Sequence, residues 1–467
     1  MARTVAGMED SASTLLQAPV ATQVGGEDGE LSGFWGQRRS AAMRADEDSG
    51  AGPPEDDGRD FLQRVLRASE GDPGLVVTGL EVSAACRTGD NYMSAVTRVQ
   101  VAGSSSGGRP GAWSLIVKRE PSNPATRHML RTGKVFANET AAYTRVVPRL
   151  ERFFGASLRL PRCLHAACRP GSGDGVLVLE DLRPAGFLMP DRHRGLDAAH
   201  CRLALQELAR YHALSLAMKQ LDPEAFHITR SQISEVIYVP EAAHIFGPSL
   251  ENACRMAISG LRLLAADDPP LQEAIRALEK RRGGIFQLMT RLVQPSEPFS
   301  VICHGDFWLN NILFSYKEGE VDDVRLLDLQ VARYCSPAVD ILHFLYTSTF
   351  REVRRSHGEA LLRAYHAALN DAFRGLVRGS ALEGHEAISW RQLAAELRER
   401  ELYGLFNGMW IMTAVTADGD SIPDLDAISQ EDFYSERALG SWIAAQTPSY
   451  RRRTRNLVLE YYEKGIM

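Results

Sequence analysis

Residues 301–314, VICHGDFWLNNILF, set an imidazole (His304), a carboxylate (Asp306) and two adjacent carboxamides (Asn310, Asn311) between apolar runs. Such groups are costly to bury unless each finds a partner. On its own the stretch reads either as a polar turn closed by its own Asp and Asn side chains or as a catalytic loop. In the second reading a base sits at fixed distance from a metal ligand. A group that takes a proton from a substrate hydroxyl must be a carboxylate or an imidazole within hydrogen-bond reach. A carboxamide oxygen is the hard donor that suits Mg²⁺. The pattern is H-x-D-x-x-x-x-N, with His304, Asp306 and Asn311 in place.

Four further features bear on the choice. TGDNYMS, 88–94, lies between two predicted strands, and its Gly89, Asn91 and Ser94 could let backbone N–H groups approach phosphates. A lone hairpin glycine reads equally as a plain turn. Lys118 ends an apolar strand, SLIVK, where a lysine ordinarily reaches for solvent. Glu139 lies on the helix that follows, and a strand Lys paired with a helix Glu would aim the ammonium at a phosphate. Asp328, in RLLDLQ, sits at a strand exit, as a turn cap or as a second metal ligand.

The elements that must position these groups are legible. DFLQRVLRASEG reads as a short helix from about Asp60, and GLVVTGLEVSAA, YMSAVTRVQVAG and AWSLIVKRE as strands. SSSGGRPG joins the last two, and 134–150 has helical spacing. GVLVLEDL, 175–182, is another strand. Beyond it helices dominate: 196–219, with Asp197 as N-cap, then stretches near 270–292, 352–375, 391–416 and 452–463. ILFSYKEGEVDDVRLLDL is the exception, two strands around an EGEV turn. A mostly β N-terminal lobe, 59–182, thus meets a mostly helical C-terminal lobe, 183–467. Residues 1–58 are acidic, Gly-rich and lack an apolar period, the composition of a disordered tail.

Charge and composition exclude several classes. Of the net −6, the first 60 residues carry −7, with 12 acids and 5 Arg, so the rest is close to neutral. A nucleic-acid binder would need a basic excess. No run of 18 apolar residues predicts a membrane span, and the early Glu9 and Asp10 argue against a transit peptide. Seven cysteines without a CxxC pair fit reduced thiols. The expected location is cytoplasmic.

Gly turn, strand Lys, helix Glu, hinge strand, HxDxxxxN loop, hairpin and Asp form an order that resembles the protein-kinase-like fold. Through HGD it resembles the branch of choline and aminoglycoside kinases. GDNYMSAVTRV, LIVK, LVLEDLRPAGF, HGDFWLNNILF and LLDLQVARYCSPAVDILHFL look like the insect ecdysteroid-kinase-like (CHK kinase-like) family, from about residue 60 to 465. The resemblance implies an α+β bilobal kinase fold and an ATP- and Mg²⁺-dependent transfer of the γ-phosphate to a hydroxyl of a lipophilic small molecule, ecdysteroids leading. It implies Asp306 as base, His304 as loop anchor, and Asn311 and Asp328 as Mg²⁺ ligands. It further implies Lys118 on the α/β-phosphates, Glu139 orienting it, backbone of Glu180, Asp181 and Leu182 at the adenine, and Asp340 bonded to the loop backbone. DLQ in place of DFG removes a flexible Gly joint. The alternatives are a choline- or aminoglycoside-type kinase, or a pseudokinase binding module, which would be expected to lack Asp306, Asp328 or Lys118; all three are present. No protein substrate is expected, because only 11 residues separate Asp328 from Asp340, too few for a peptide platform. Around 220–260 and 395–425, Phe226, Ile237, Tyr238, Phe246, Tyr403, Phe406 and Trp410 offer enough apolar surface to line a sterol site, and would read the same as a core.

Overall fold

The computed structural model describes residues 58–85, 94–121, 123–169, 172–417 and 435–467. Helix α1 (Gly58–Glu70) buries Leu62, Val65 and Leu66, one helical face, against a five-stranded antiparallel sheet. The strands are β1 (Val76–Ala84), β2 (Ala95–Ser104), β3 (Pro110–Arg119), β4 (Cys163–Ala167) and β5 (Val176–Glu180), in the order β1-β2-β3-β5-β4. Strand β5 shows why its sequence is a continuous apolar run. Side chains alternate across a strand, so Val176 and Val178 join the cluster under α1. Leu177 and Leu179 join a second cluster on the other face, with Phe136, Tyr143, Val146 and Leu150.

After α2 (Pro124–Leu130), that second face is covered by α3 (Thr132–Ala141) and α4 (Val147–Phe154). The single helix expected over 134–150 is interrupted by a π-turn at Ala142–Val146, a wider turn that shifts the helix face by one residue. Strand β4 was not foreseen; its residues are only half buried and carry no alternation.

The helical part opens with α5 (Ala198–Leu221), capped as expected by Asp197, whose carboxylate accepts from the Ala199 and His200 amides. It continues through α6 (Pro223–Arg230), α7 (Ala243–Arg262), α8 (Pro269–Glu279) and α9 (Ile285–Leu292). The expected 270–292 helix is split between these last two, at a turn after Glu279 in which Gly283 takes φ 85°. Short strand β6 (Val301–Cys303) pairs with β9 (Arg333–Cys335), and between them β7 (Ile312–Lys317) and β8 (Glu320–Leu326) form the hairpin. Helix α10 (Ala338–Ser348) is buried along its whole length. It is followed by α11 (Arg351–Leu376), α12 (Trp390–Glu399), α13 (Glu401–Thr416), α14 (Glu436–Ala444) and α15 (Pro448–Glu463). The expected 391–416 helix is two helices that break at Arg400, whose guanidinium is tied back to Glu396 and Glu399.

A β lobe and a helical lobe thus enclose one cleft of about 1280 Å³, with β3 and β5 on one side and α7, α10 and α13 on the other. This is the bilobal α+β architecture of the protein-kinase-like fold. Among the described residues no helix is long and apolar enough to cross a membrane.

Candidate active site

The loop after β6 is held by its backbone. Gly305 takes φ 86°, and a Cβ there would lie 1.9 Å from the Val331 carbonyl oxygen, so only glycine fits the HGD motif. The adjacent amides of His304 and Gly305 donate to Asp340 of α10, at 2.7 and 2.9 Å. Asp340 is fully buried and also meets His212 Nε2 of α5 at 3.0 Å, while His212 Nδ1 meets the Tyr365 hydroxyl of α11 at 2.7 Å. Burial alone would raise Asp340, but the His212 contact and the Gly305 amide outweigh it and hold the carboxyl below its usual range. Three helices therefore fix one turn.

Asp306 projects from this turn into the cleft. The Asn311 side-chain amide donates to its Oδ2 at 2.8 Å and to its backbone carbonyl at 2.9 Å. His304 Nδ1 accepts from the Asp306 amide at 3.4 Å. His343 Nε2, one helical turn beyond Asp340, stands 3.7 Å from Asp306 Oδ1. Burial, and then the negative charge of Asp328, push Asp306 up to about 7. Burial pulls His343 down to about 3, so its imidazole is neutral.

Lys118 of β3 reaches the same space. Its Nζ lies 2.7 Å from Glu139 Oε2 of α3 and 3.0 Å from Asp328 Oδ2, and it donates to Gln330 Oε1 at 3.4 Å. Burial opposes its charge, yet Asp328 and Glu139 together raise Lys118 above its ordinary value. Burial pushes Glu139 up to about 7 against the pull of Lys118. Asp328 itself sits at φ 64°, uncommon for a residue with a Cβ, and its Oδ1 accepts from the Gln330 amide at 3.2 Å. Asn138, one residue before Glu139, donates to the carbonyls of Gln330 and Ala332 at 3.1 and 2.9 Å and so fastens α3 to this loop.

The hinge residues Glu180, Asp181 and Leu182 lie along the same cleft. The Glu180 amide, however, donates to the Arg162 carbonyl (2.9 Å) and the Asp181 amide to the Ser114 carbonyl (3.1 Å), so both donors are spent within the protein. The Asp181 carboxylate binds Arg98 Nε at 2.8 Å and the Ser114 hydroxyl at 2.7 Å, a brace across β2, β3 and β5. Ser94 lies at the start of β2, half buried, and Gly89 and Asn91 fall outside the described residues.

Beyond Asp306 the cleft runs into the helical lobe. Ile237, Tyr238, Phe246, Tyr403 and Trp410 line it as expected, joined by Met256. Phe226 and Phe406 do not. Phe226 packs on Tyr334 with ring centroids 5.6 Å apart, and Phe406 is buried among core residues. Sequence reasoning missed Asn138, His212, His343 and Tyr365. Only His343 left a signal: its spacing of three from Asp340 puts both on the helix face that meets the loop.

The set could hold a hard cation as well as a nucleotide. With Nδ2 of Asn311 turned to Asp306, its Oδ1 is left for another partner, and the Asp328 carboxylate supplies further oxygens. A lysine clamped by a glutamate on one lobe, facing two carboxylates and an asparagine on the other, defines a kinase-like phosphotransfer centre. The chain belongs to the ecdysteroid kinase-like family, whose model matches residues 88–377. That membership marks it as a small-molecule kinase, a phosphotransferase. No curated protein matches the sequence. Among solved structures, the GDP complex of wild-type aminoglycoside 2'-phosphotransferase-IIIa is 12% identical, covering 88% of this chain and 100% of that one at a TM-score of 0.40. The Plasmodium vivax ethanolamine kinase Pv091845 is also 12% identical, covering 80% and 84% at a TM-score of 0.33.

Proposed function

We propose that the protein transfers the γ-phosphate of ATP to a hydroxyl of an uncharged, lipophilic small molecule, with ecdysteroids as the leading class. Asp306 accepts the hydroxyl proton, the freed oxygen attacks the γ-phosphorus, and the bond from phosphorus to the β-bridging oxygen breaks to release ADP. Lys118, aimed by Glu139, binds the phosphates. Asn311 and Asp328 are the residues that would hold Mg²⁺, whose charge offsets that of the phosphates. Asn311 also keeps the Asp306 carboxylate turned to the acceptor. His304 and Asp340 hold the turn that carries it.

The observation that carries the acceptor class is the composition of the cleft beyond Asp306. Among the described residues, the walls given by α7, α13, α14 and α15 hold Phe246, Met256, Tyr403, Trp410, Trp442 and Tyr450 and no Asp or Glu. An aminoglycoside brings several positive charges, which are costly to desolvate without carboxylate partners. A quaternary ammonium could rest on the aromatic faces, and the acceptor screen below separates it from the steroid alcohols. The eight residues from Gln330 to Pro337 include β9, paired with β6, and leave no extended shelf for a peptide.

The test is ADP release by the full chain with Mg·ATP and, in turn, steroid alcohols, choline, an aminoglycoside and a generic protein substrate. Stimulation and labelling with the steroid alcohols are expected. Turnover with choline or the aminoglycoside alone overturns the acceptor class, and labelling of protein alone overturns the small-molecule reading.

A further inference from the structure

His343 stands beside Asp306 and takes no part in the mechanism above. It is buried, lines the cleft, and neither ring nitrogen makes a well-formed hydrogen bond among the described residues, the nearby Gly305 backbone giving it only a weak contact. Leaving a buried polar atom unpaired costs about 1–3 kcal/mol, and a histidine kept only for packing would ordinarily have found partners for its nitrogens. Its Nε2 faces Asp306 Oδ1 at 3.7 Å, beyond hydrogen-bond reach. The carboxylate favours the tautomer with the proton on Nε2, since a nitrogen lone pair pointed at that charge would be repelled.

A gap of 3.7 Å between a donor and an acceptor is too wide for a direct bond and well suited to one bridging oxygen. An oxygen at about 2.8 Å from each atom satisfies both. We propose, on the phosphotransfer reading given above, that His343 is a catalytic residue that holds the acceptor hydroxyl: Nε2–H donates to its oxygen while Asp306 Oδ1 accepts its proton. Asn311 fixes the other carboxylate oxygen, Oδ2, so the hydroxyl meets a base with one orientation. Two contacts to a single oxygen define its line of approach to phosphorus, whereas Asp306 alone would leave it free to swing. The contact also stabilises the charge that gathers on the oxygen as its proton departs.

The rest of the helix fits that role. Asp340, three residues earlier, is bonded to the His304 and Gly305 amides, so α10 and the Asp306 turn move as one unit. The separation of His343 and Asp306 is thereby set by the buried Asp340 carboxylate, which ties α10 to the two loop amides.

The test compares wild type, His343→Gln and His343→Leu as full chains, with two acceptors: a 3β-hydroxysteroid, and water, read as ADP release from Mg·ATP alone. His343→Leu should lower kcat with both acceptors by roughly ten- to a hundredfold, the scale of a misplaced reacting atom, with Mg·ATP affinity within about twofold of wild type. His343→Gln, which keeps an N–H donor, should recover part of the loss. Wild-type turnover in His343→Leu overturns the assignment, as does an equal loss in Mg·ATP affinity, which would mark a packing role. A wild type that hydrolyses ATP yet never labels the steroid sinks the lipophilic-acceptor reading only, and the His343 comparison is then decided on water. A wild type that does neither overturns both.

Discussion

The two ends of the cleft are built on opposite terms. At the nucleotide end the buried charges are paired: Lys118 meets both Glu139 and Asp328, and Asp181 meets Arg98. At the acceptor end, among the described residues, aromatic and aliphatic side chains dominate with Ser249, Asn252 and Asn407 between them, and His343 makes no well-formed hydrogen bond. Buried charge is tolerated only when paired, so the nucleotide end must hold its geometry through ion pairs even when empty. The acceptor end, carrying little charge, is free to be specified by shape. One half of the molecule is therefore strongly constrained by electrostatics, and the other is open to variation in what it accepts.

Mutations should separate the halves. The largest effect is expected from Asp306→Asn, which keeps the shape and the Asn311 contact but cannot take a proton. Its kcat should fall by about 10²–10⁴, the scale of a lost general base, with nucleotide affinity little changed. Because burial lifts Asp306 to about 7, kcat/KM of the wild type should decline as pH falls through that value, where the carboxyl becomes protonated. A steady-state pH profile checks this, and near-wild-type turnover in the variant would remove Asp306 from the chemistry.

Asp328→Ala acts on the other half. It removes a proposed metal ligand and one of the two carboxylates that hold Lys118. Mg·ATP affinity should weaken by at least about tenfold, with activity partly restored at higher Mg²⁺. Unchanged affinity by calorimetry would make Asp328 a turn-forming residue and place the metal elsewhere.

Asp340→Asn tests the unit that joins the halves. It retains one carbonyl oxygen for the two loop amides but sets an NH₂ group against the other. A loss of about 2–3 kcal/mol in unfolding free energy at pH 7 is expected. Since the folded carboxyl lies below its usual range, its contribution is full above the unfolded value of about 4 and disappears as pH falls through the folded one. Denaturant melts of the two proteins should therefore converge in acid; a gap that persists there would mean packing, not charge, is at stake.

The sequence and the structure agree best where residue type and local spacing decide the outcome. Lys118, Glu139, Asp306, Asn311 and Asp328 are brought together from β3, α3 and the loops about β6–β9, in the order in which they occur along the chain. The β strands were legible because their apolar runs are bounded by turn residues. What was not legible depends on partners distant in sequence. His212 and Tyr365 look like ordinary helix residues until α5 and α11 pack on α10. Asn138 differs from a surface carboxamide only in facing the Gln330 loop. Phe226 and Phe406 were misplaced because an apolar side chain reads the same whether it faces a cavity or a core. At the hinge the backbone partners were equally hidden: nothing in the sequence marks that the Arg162 and Ser114 carbonyls take the Glu180 and Asp181 amides.

The smallest effect should come from the acceptor wall. Trp410 stacks edge-on against Phe246, with ring centroids 5.8 Å apart, and its indole N–H donates to the Ser249 hydroxyl at 2.8 Å. Trp410→Phe keeps an aromatic ring in the wall and removes that hydrogen bond, leaving Ser249 to bond elsewhere or to water. A neutral hydrogen bond contributes about 0.5–1.5 kcal/mol net, so KM for a steroid alcohol should rise by no more than about tenfold. The chemistry itself lies at Asp306, so kcat and Mg·ATP affinity should stay at wild-type values. The outcome sharpens the contrast between the ends of the cleft, because a shape-defined wall should show its change in KM alone. A fall in kcat with KM unchanged would mean that the wall positions the reacting hydroxyl, and that the acceptor end is as tightly constrained as the nucleotide end.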